Sequence, residues 1–496
     1  MSTTKEKHSV LDDLEKVQTY DQLGDVFVIS EPLTVEEDRR ILRKIDMHLL
    51  PIMAISYLFQ FLDKAALGYT AIMGLKTDLA LSGSQYSWAS GIYYFGYLIA
   101  SYPAGILMVR YPVGKTITTS VLIWGAVLML TAVCFNAQGL LANRFFLGFA
   151  EACIGPGLTV IVAMWYKRSE QPLRMGAWFM GNVVAGFLGG LVAYGVGHVE
   201  SIAPWKAVFL VFGALTVAWS AAIFFLLPDT QANARFLSKE DRPKAVNRVR
   251  ENMTGIKNNT WKPSQSLEAL LDIKVWLLVI IQIAMQVANG GLQGFSSIII
   301  KGFGFATLNT LLVQMISTAF QAVFVIVSTV GSTYFTNMRT YFMAGNLAIS
   351  LIGVVMIRQL DATHVWPKFI GFCLSIAYTA NIPLTLSMSS GNIGGFTKKS
   401  TVNAMIFIAY CTGNIIGPQL FFDKEAPKYS SAFLSMMVCF AIAFILCFVL
   451  RIFLVWENKR RDRATGALES QSEADSSQMN MADKTDKEMS AFRYVY

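Results

Sequence analysis

Residues 49–72 read LLPIMAISYLFQFLDKAALGYTAI, an apolar run that carries an acid and a base side by side, Asp63 and Lys64, beyond its middle. A hydrocarbon core of about 30 Å needs about 20 helical residues, so this run is long enough to cross one. Charges at that depth are costly. They face a bundle interior or a wet cavity, where they serve a substrate or a proton. The rest of the sequence repeats the apolar pattern. Of 496 residues 54% are hydrophobic, and mean hydropathy is +0.46, beyond ordinary soluble composition. Further runs lie at 86–108, 116–135, 140–164, 175–197, 207–227, 275–300, 309–330, 341–357, 367–388, 402–421 and 432–456. The pattern predicts an all-α polytopic membrane protein of about twelve helices.

Orientation follows from the Lys and Arg residues in the short connections. Arg39, Arg40, Arg43 and Lys44 precede the first run, and Arg110 and Lys115 lie between the second and third. Lys167, Arg168 and Arg174 follow the fourth, Lys398 and Lys399 the tenth, and Lys459, Arg460, Arg461 and Arg463 the last. All fall on one side. The expectation is a multi-pass protein of the plasma membrane with both termini cytoplasmic. The net charge of +8 then reads as a positive-inside bias, and no basic patch on a soluble domain offers a nucleic-acid surface. The N-terminal segment lacks the short apolar core of a cleavable signal, so the first span serves as its own anchor.

Six cysteines sit within or at the ends of spans without paired spacing, which makes them reduced packing residues. His8, His48, His198 and His364 are too scattered for a metal site. HExxH, GxSxG and Walker motifs are absent, so neither an enzyme nor a cofactor is expected.

The chain divides into a cytoplasmic tail (1–46), a six-helix half (47–228), a polar cytoplasmic loop (229–273), a second six-helix half (274–456) and a Ser-, Gln- and Asp-rich tail (457–496) of disordered composition. GNVVAG at 181–186 is echoed by GNIIGP at 413–418, at equivalent places in the fifth and eleventh spans. Duplicated halves with a midplane site between them describe the major facilitator fold, twelve transmembrane helices as two six-helix halves.

In the fourth span Arg144 and Glu151 are seven residues apart, on one helix face with about 10.5 Å of rise between them. Desolvation and a neighbouring cation act oppositely on a carboxyl, so a conformational change that alters either can load or release a proton. Asp63, Glu151 and Arg144 are the proton-coupling candidates. Adjacent helix residues do not face one another, so Lys64 needs its own partner. If Asp63 turns toward Arg144, Lys64 points into the cavity, where an anionic substrate is its natural counter-ion. The competing reading is a structural ion network.

The second half carries neutral polar residues: Gln286, Asn289 and Gln293 in the seventh span, Asn381 in the tenth, and Tyr410 and Asn414 in the eleventh. These are substrate-binding candidates, with interhelical hydrogen bonding as the alternative. Tyr93, Tyr94 and Tyr97 are candidates to line the cavity, Tyr97 foremost. Gly186 and Gly190, Gly290 and Gly294, and Gly413 and Gly417 have the spacing of close helix contact.

Several segments together resemble the fungal allantoate permease family: Leu62-Asp63-Lys64, RFFLGFAEACIGP at 144–156, IKGFGF at 300–305, NIGGFTKK at 392–399 and GNIIGPQ at 413–419. That family belongs to the anion:cation symporter branch of the major facilitators. The resemblance implies a proton-driven importer of a small organic anion of vitamin, ureide, carboxylate or short-peptide type; a monomer in the lipid bilayer is the expected form. Efflux of an acidic metabolite and ligand sensing without transport are the other readings. By resemblance Asp63 and Glu151 match the proton-carrying carboxylates and Arg144 the basic residue beside them. Lys64 stands where the wider branch usually has arginine, and a lysine cannot make the bidentate planar contact with a carboxylate. A second departure is GILMVRYPVGK at 105–115, which lacks the acid many major facilitators carry there.

Overall fold

Thr34 starts the first helix. Its hydroxyl accepts from the Glu37 N–H at 3.3 Å, and the Glu37 carboxylate accepts from the Thr34 N–H at 3.4 Å, so two otherwise orphaned donors are satisfied. The helix α1 runs Val35–Thr70, well beyond the apolar run at its N-terminal end. A π-turn at Ala71–Leu75 follows, with Gly74 at φ 105°, a left-handed conformation that glycine tolerates. The computed structural model describes residues 33–82, 84–167, 170–253, 262–335, 337–361, 363–465, 484–489 and 492–496.

The first half continues with α2 (Gln85–Arg110), α3 (Val113–Leu130), α4 (Ala137–Glu151) and α5 (Ile154–Trp165), α6 (Gln171–Phe179) and α7 (Gly181–Val196), and α8 (Pro204–Leu226). The link carries α9 (Asp241–Met253) and α10 (Pro263–Leu270). The second half comprises α11 (Ile273–Gly302), α12 (Thr307–Tyr334), α13 (Arg339–Gln359), α14 (Val365–Ser375) and α15 (Asn381–Asn392), α16 (Phe396–Gln419) and α17 (Ser430–Thr465). Among the described residues eleven segments are long and apolar enough to cross a membrane. Helix α2, 26 residues long, also has the length to cross a bilayer.

Two spans are broken by proline. Pro156 has no N–H to offer the Ala152 carbonyl, and the fourth span turns between Glu151 and Ile154. Pro383 likewise cannot bond Thr379, and the tenth span tightens to a 3-10 segment at Ile376–Ala380. The glycine pairs work as close contacts. A Cβ at Gly186 would meet Thr318, at Gly190 the Leu311 carbonyl, at Gly290 the Asn414 backbone, and at Gly417 the Val287 carbonyl.

Call the end that carries Val35 and Thr465 the terminal side, and the other the far side. On the far side the halves are joined. Tyr86 donates to the Gly294 carbonyl at 2.6 Å, and Lys76 pairs with Asp423 at 3.3 Å. Among the described residues every ion pair at the terminal side stays within one half or its adjoining link or tail. Helix α9 is held against α1, where Arg40 and Lys44 pair with Asp241 at 2.9 and 2.6 Å, and Arg248 bridges Asp38 and Glu170. Burial raises the Asp241 carboxyl, but Lys44, Ser238 and Arg40 outweigh it and hold the group below its usual range.

The described parts of the C-terminal tail are folded. Helix α17 extends to Thr465, and the last described residues fold back onto the second half with Thr485 and Asp486 fully buried. Averaged composition conceals such specific anchors. Residues 1–32, 254–261 and 466–483, parts of the expected tails and loop, lie outside the described residues.

Candidate functional site

Helix α1 brings Asp63 and Lys64 to the depth of the α4 break. Asp63 is 0% exposed, and neither carboxylate oxygen has a hydrogen-bond partner among the described residues. The expected turn toward Arg144 therefore produces no bond. Arg144, also buried, donates through Nε to the Ala89 carbonyl at 3.3 Å, stacks 5.5 Å from the Tyr93 ring centre, and leaves Nη1 without a partner. Glu151 is 0% exposed. The Tyr93 hydroxyl donates to Oε2 at 2.5 Å, while Oε1 has no partner.

Two glycines bring Tyr93 within reach of Glu151. A Cβ at Gly148 would overlap the Tyr93 carbonyl, and one at Gly96 the Phe145 carbonyl, so α2 and α4 touch backbone to backbone. Asp63, Lys64, Arg144 and Glu151 lie within electrostatic range of one another, yet none of them forms an ion pair among the described residues. A closed structural network is therefore not what these residues build. Lys64 is held by aromatic faces instead, its ammonium 5.6 Å from the Tyr93 ring centre and 5.8 Å from that of Tyr97.

The facing half is built differently. Asn289 donates to Asn414 at 2.9 Å, and Asn414 donates to Gln286 at 3.0 Å and to the Tyr410 carbonyl at 2.8 Å. Tyr378 closes this chain by donating to Asn289 at 3.2 Å, and Tyr94 of the first half donates to Gln293 at 3.0 Å. Rings continue the bridge between halves: Tyr97 meets Phe407 at 5.4 Å, and Tyr94 meets Tyr410 at 5.9 Å. The structure thus gathers Lys64, Tyr97, Gln286, Asn289, Gln293, Tyr410 and Asn414 around the junction.

Asn381 does not join them. It donates to the Met343 carbonyl at 3.0 Å and accepts from Asn346 at 2.9 Å, tying the tenth span to α13. Sequence reasoning ranked Tyr97 above Tyr93, although Tyr93 is the direct partner of Glu151. It also missed Tyr378 and Phe407. The i, i+4 spacing of Tyr93 and Tyr97 was available as a signal, whereas Tyr378 sits in a 3-10 segment whose facing no simple periodicity gives.

All six cysteines are free, and His48 stacks on Phe236 at 4.1 Å. Arg110 is exposed and makes no ion pair among the described residues.

Comparison with known proteins identifies the family and the fold. Residues 53–418 match the family model described as Major Facilitator Superfamily. An uncharacterized transporter of Schizosaccharomyces pombe is 39% identical over 93% of this chain and 87% of its own length. Allantoate permease of Saccharomyces cerevisiae is 33% identical over the same 93% and 87%. Among solved structures, a bacterial homolog of the human lysosomal transporter Spinster superposes with a TM-score of 0.62 at 15% identity, covering 82% of this chain and 96% of that one. This last likeness concerns the fold.

Proposed function

The chain belongs to the Major Facilitator Superfamily, in the company of allantoate permease-like transporters of fungi, and from that premise we propose that it is a proton-coupled symporter importing a small organic anion by alternating access. It is a membrane transporter rather than an enzyme. The observation that carries the finer reading is Glu151, a fully buried carboxyl with one oxygen held by Tyr93 and the other without a partner. Such a group has room to take a proton, and Asp63 beside it has both oxygens in the same condition.

Lys64, which has no acidic partner among the described residues, supplies the charge that meets the anion, and the amides of α11 and α16 meet its uncharged part. The far-side closure at Lys76–Asp423 and Tyr86–Gly294 supports a state with that side sealed. In this reading the protein acts as a monomer in the plasma membrane with both termini and the 229–273 loop cytoplasmic, supported by the Lys/Arg bias. Labelling of a Ser264→Cys site by an impermeant reagent in intact cells would reverse that orientation.

The direct test uses purified protein in proteoliposomes with an imposed inward proton gradient and a panel of labelled vitamins, ureides, carboxylates and short peptides. Concentrative uptake of an anion, abolished by a protonophore, is expected. Accumulation that ignores the proton gradient would contradict coupling, and movement only down the anion gradient would contradict symport.

A further inference from the structure

At the terminal side of the second half, four structural elements converge on two buried lysines. Lys274, at the start of α11, is 2% exposed, and Lys398, at the start of α16, is 0% exposed. Asp272 reaches both, at 2.8 and 2.9 Å, and Glu268 of α10 meets Lys398 at 2.8 Å. The remaining acid comes from far along the chain. Asp486, 0% exposed, pairs with Lys274 and lies 2.7 Å from Lys398. It also accepts from the Gly394 N–H at 3.1 Å and the Tyr494 hydroxyl at 2.7 Å. The Glu268, Asp272 and Asp486 carboxylates come together closely enough to suggest a metal site, but the two ammonium groups already occupy the role of the cation.

The segment around Asp486 is gripped as a bound peptide is gripped. Arg461 donates to the carbonyls of Asp486, Met489 and Phe492 at 2.9, 3.2 and 3.0 Å, and to the Tyr494 hydroxyl at 2.8 Å. Asn458 holds both backbone groups of Tyr494, at 2.8 and 2.9 Å, and Asn392 holds both of Val495, at 2.8 and 2.7 Å. Such two-way amide contacts read main chain. The Tyr496 ring lies 4.9 Å from the Arg451 guanidinium. Burial pushes the Asp486 carboxyl up, but Lys274 and Lys398 bring it down to about 2, so the anchor stays ionised at neutral pH.

The site also holds the link between the halves. Gln265 of α10 accepts from the N–H groups of Thr397 and Lys398, at 3.1 and 3.3 Å, and Ala269 is buried against α11 and α16. A Cβ at Gly395, the turn between the tenth span and α16, would touch both Gln265 and Thr485. Helix α10 and the returning segment are therefore packed into one joint, while α9 at the other end of the link is pinned to the first half.

We infer that the second half carries a peptide-binding site, built by Lys274, Lys398, Arg461, Asn392 and Asn458, whose ligand is the chain's own acidic and aromatic segment around Asp486 and Tyr494, and that docking of this segment locks α10 onto the half. Release frees the eight residues of α10 and lengthens the tether between the halves, so the docked segment restrains their relative motion. This inference is independent of which solute is carried.

The test uses the full chain, with native cysteines replaced, in nanodiscs. Thr485→Cys sits at a fully buried position and Lys487→Cys at an exposed one two residues away. Thiol labelling at Thr485→Cys is expected to be at least about tenfold slower than at Lys487→Cys, reflecting local opening. Adding Asp486→Asn is expected to remove most of that difference and to speed labelling of Ala269→Cys, normally 0% exposed. Asn458→Ala, which loosens the main-chain grip without touching the buried charges, is expected to give a smaller acceleration at Thr485→Cys and remains informative should Asp486→Asn fail to fold. Equal labelling of Thr485→Cys and Lys487→Cys in the parent would overturn the docked segment. An unchanged Thr485→Cys rate in both variants would overturn its anchors, and an unchanged Ala269→Cys rate with the segment released would overturn the lock on α10.

Discussion

The two halves face each other across the same junction with opposite chemistry. The first presents Asp63, Lys64, Arg144 and Glu151, buried or half-buried charges that form no ion pair among the described residues, where Asp63, Arg144 and Glu151 leave polar atoms without partners. The second presents Asn289, Asn414, Gln286 and Tyr378, neutral groups joined in a hydrogen-bonded chain. Removing one member of a buried ion pair costs about 3–5 kcal/mol, so leaving charges unmatched is expensive where folding is the only purpose. A hydrogen-bonded amide chain, by contrast, is what helix association calls for, and here only Gln286 Nε2 is left without a partner among its described members. Under the proposed function, the first half does the charge-moving work and the second contributes shape recognition.

The largest effect is expected at the helix contacts. Gly148→Ala forces α4 away from the Tyr93 carbonyl, and Gly290→Ala forces α11 away from Asn414. Overpacking of this kind costs about 1–3 kcal/mol, visible as a lower thermal unfolding midpoint in both variants. Only Gly148→Ala is also expected to lose proton-driven accumulation, since it moves the Tyr93 hydroxyl off Glu151. Equal coupling in the two variants would erase the distinction between halves.

Next comes Lys64. A charged hydrogen bond contributes about 1.5–3 kcal/mol, so Lys64→Ala is expected to weaken equilibrium binding of the transported anion about 10- to 100-fold. Lys64→Arg keeps the cation and most of the affinity. A smaller change belongs to the amide side. Asn289→Ala removes one neutral bond to the solute, about 1 kcal/mol, giving about fivefold weaker binding with the accumulation ratio unchanged.

The smallest effect is at the far-side latch. Lys76 and Asp423 are 27% and 34% exposed, and such a pair is worth about 0.2–1 kcal/mol. Lys76→Ala is expected to shift far-side cysteine accessibility by no more than about fivefold, and less at high salt.

Much of this was legible in the sequence. The apolar runs located the spans, because a bilayer imposes a length on each, and the charges of the first and fourth spans stood out against that background. The glycine spacings marked contacts that the backbone uses. What remained hidden depended on rotation and on distant chain. Whether Asp63 bonds Arg144 depends on a helix rotation that seven-residue spacing within α4 does not fix. Tyr378 is turned by a 3-10 segment. Asp486 lies in a stretch of polar composition, and its partners at Lys274 and Lys398 are separated from it by 212 and 88 residues.

In the proposed mechanism Glu151 carries the coupled proton, and Glu151→Gln isolates that role because glutamine imitates the protonated form. After the variant is checked to be monodisperse, substrate counterflow and proton-driven uptake are measured on the same proteoliposomes. Retained counterflow with lost uphill uptake is the expected result. Proton-driven accumulation equal to that of the parent would contradict the claim and move the coupling role to Asp63.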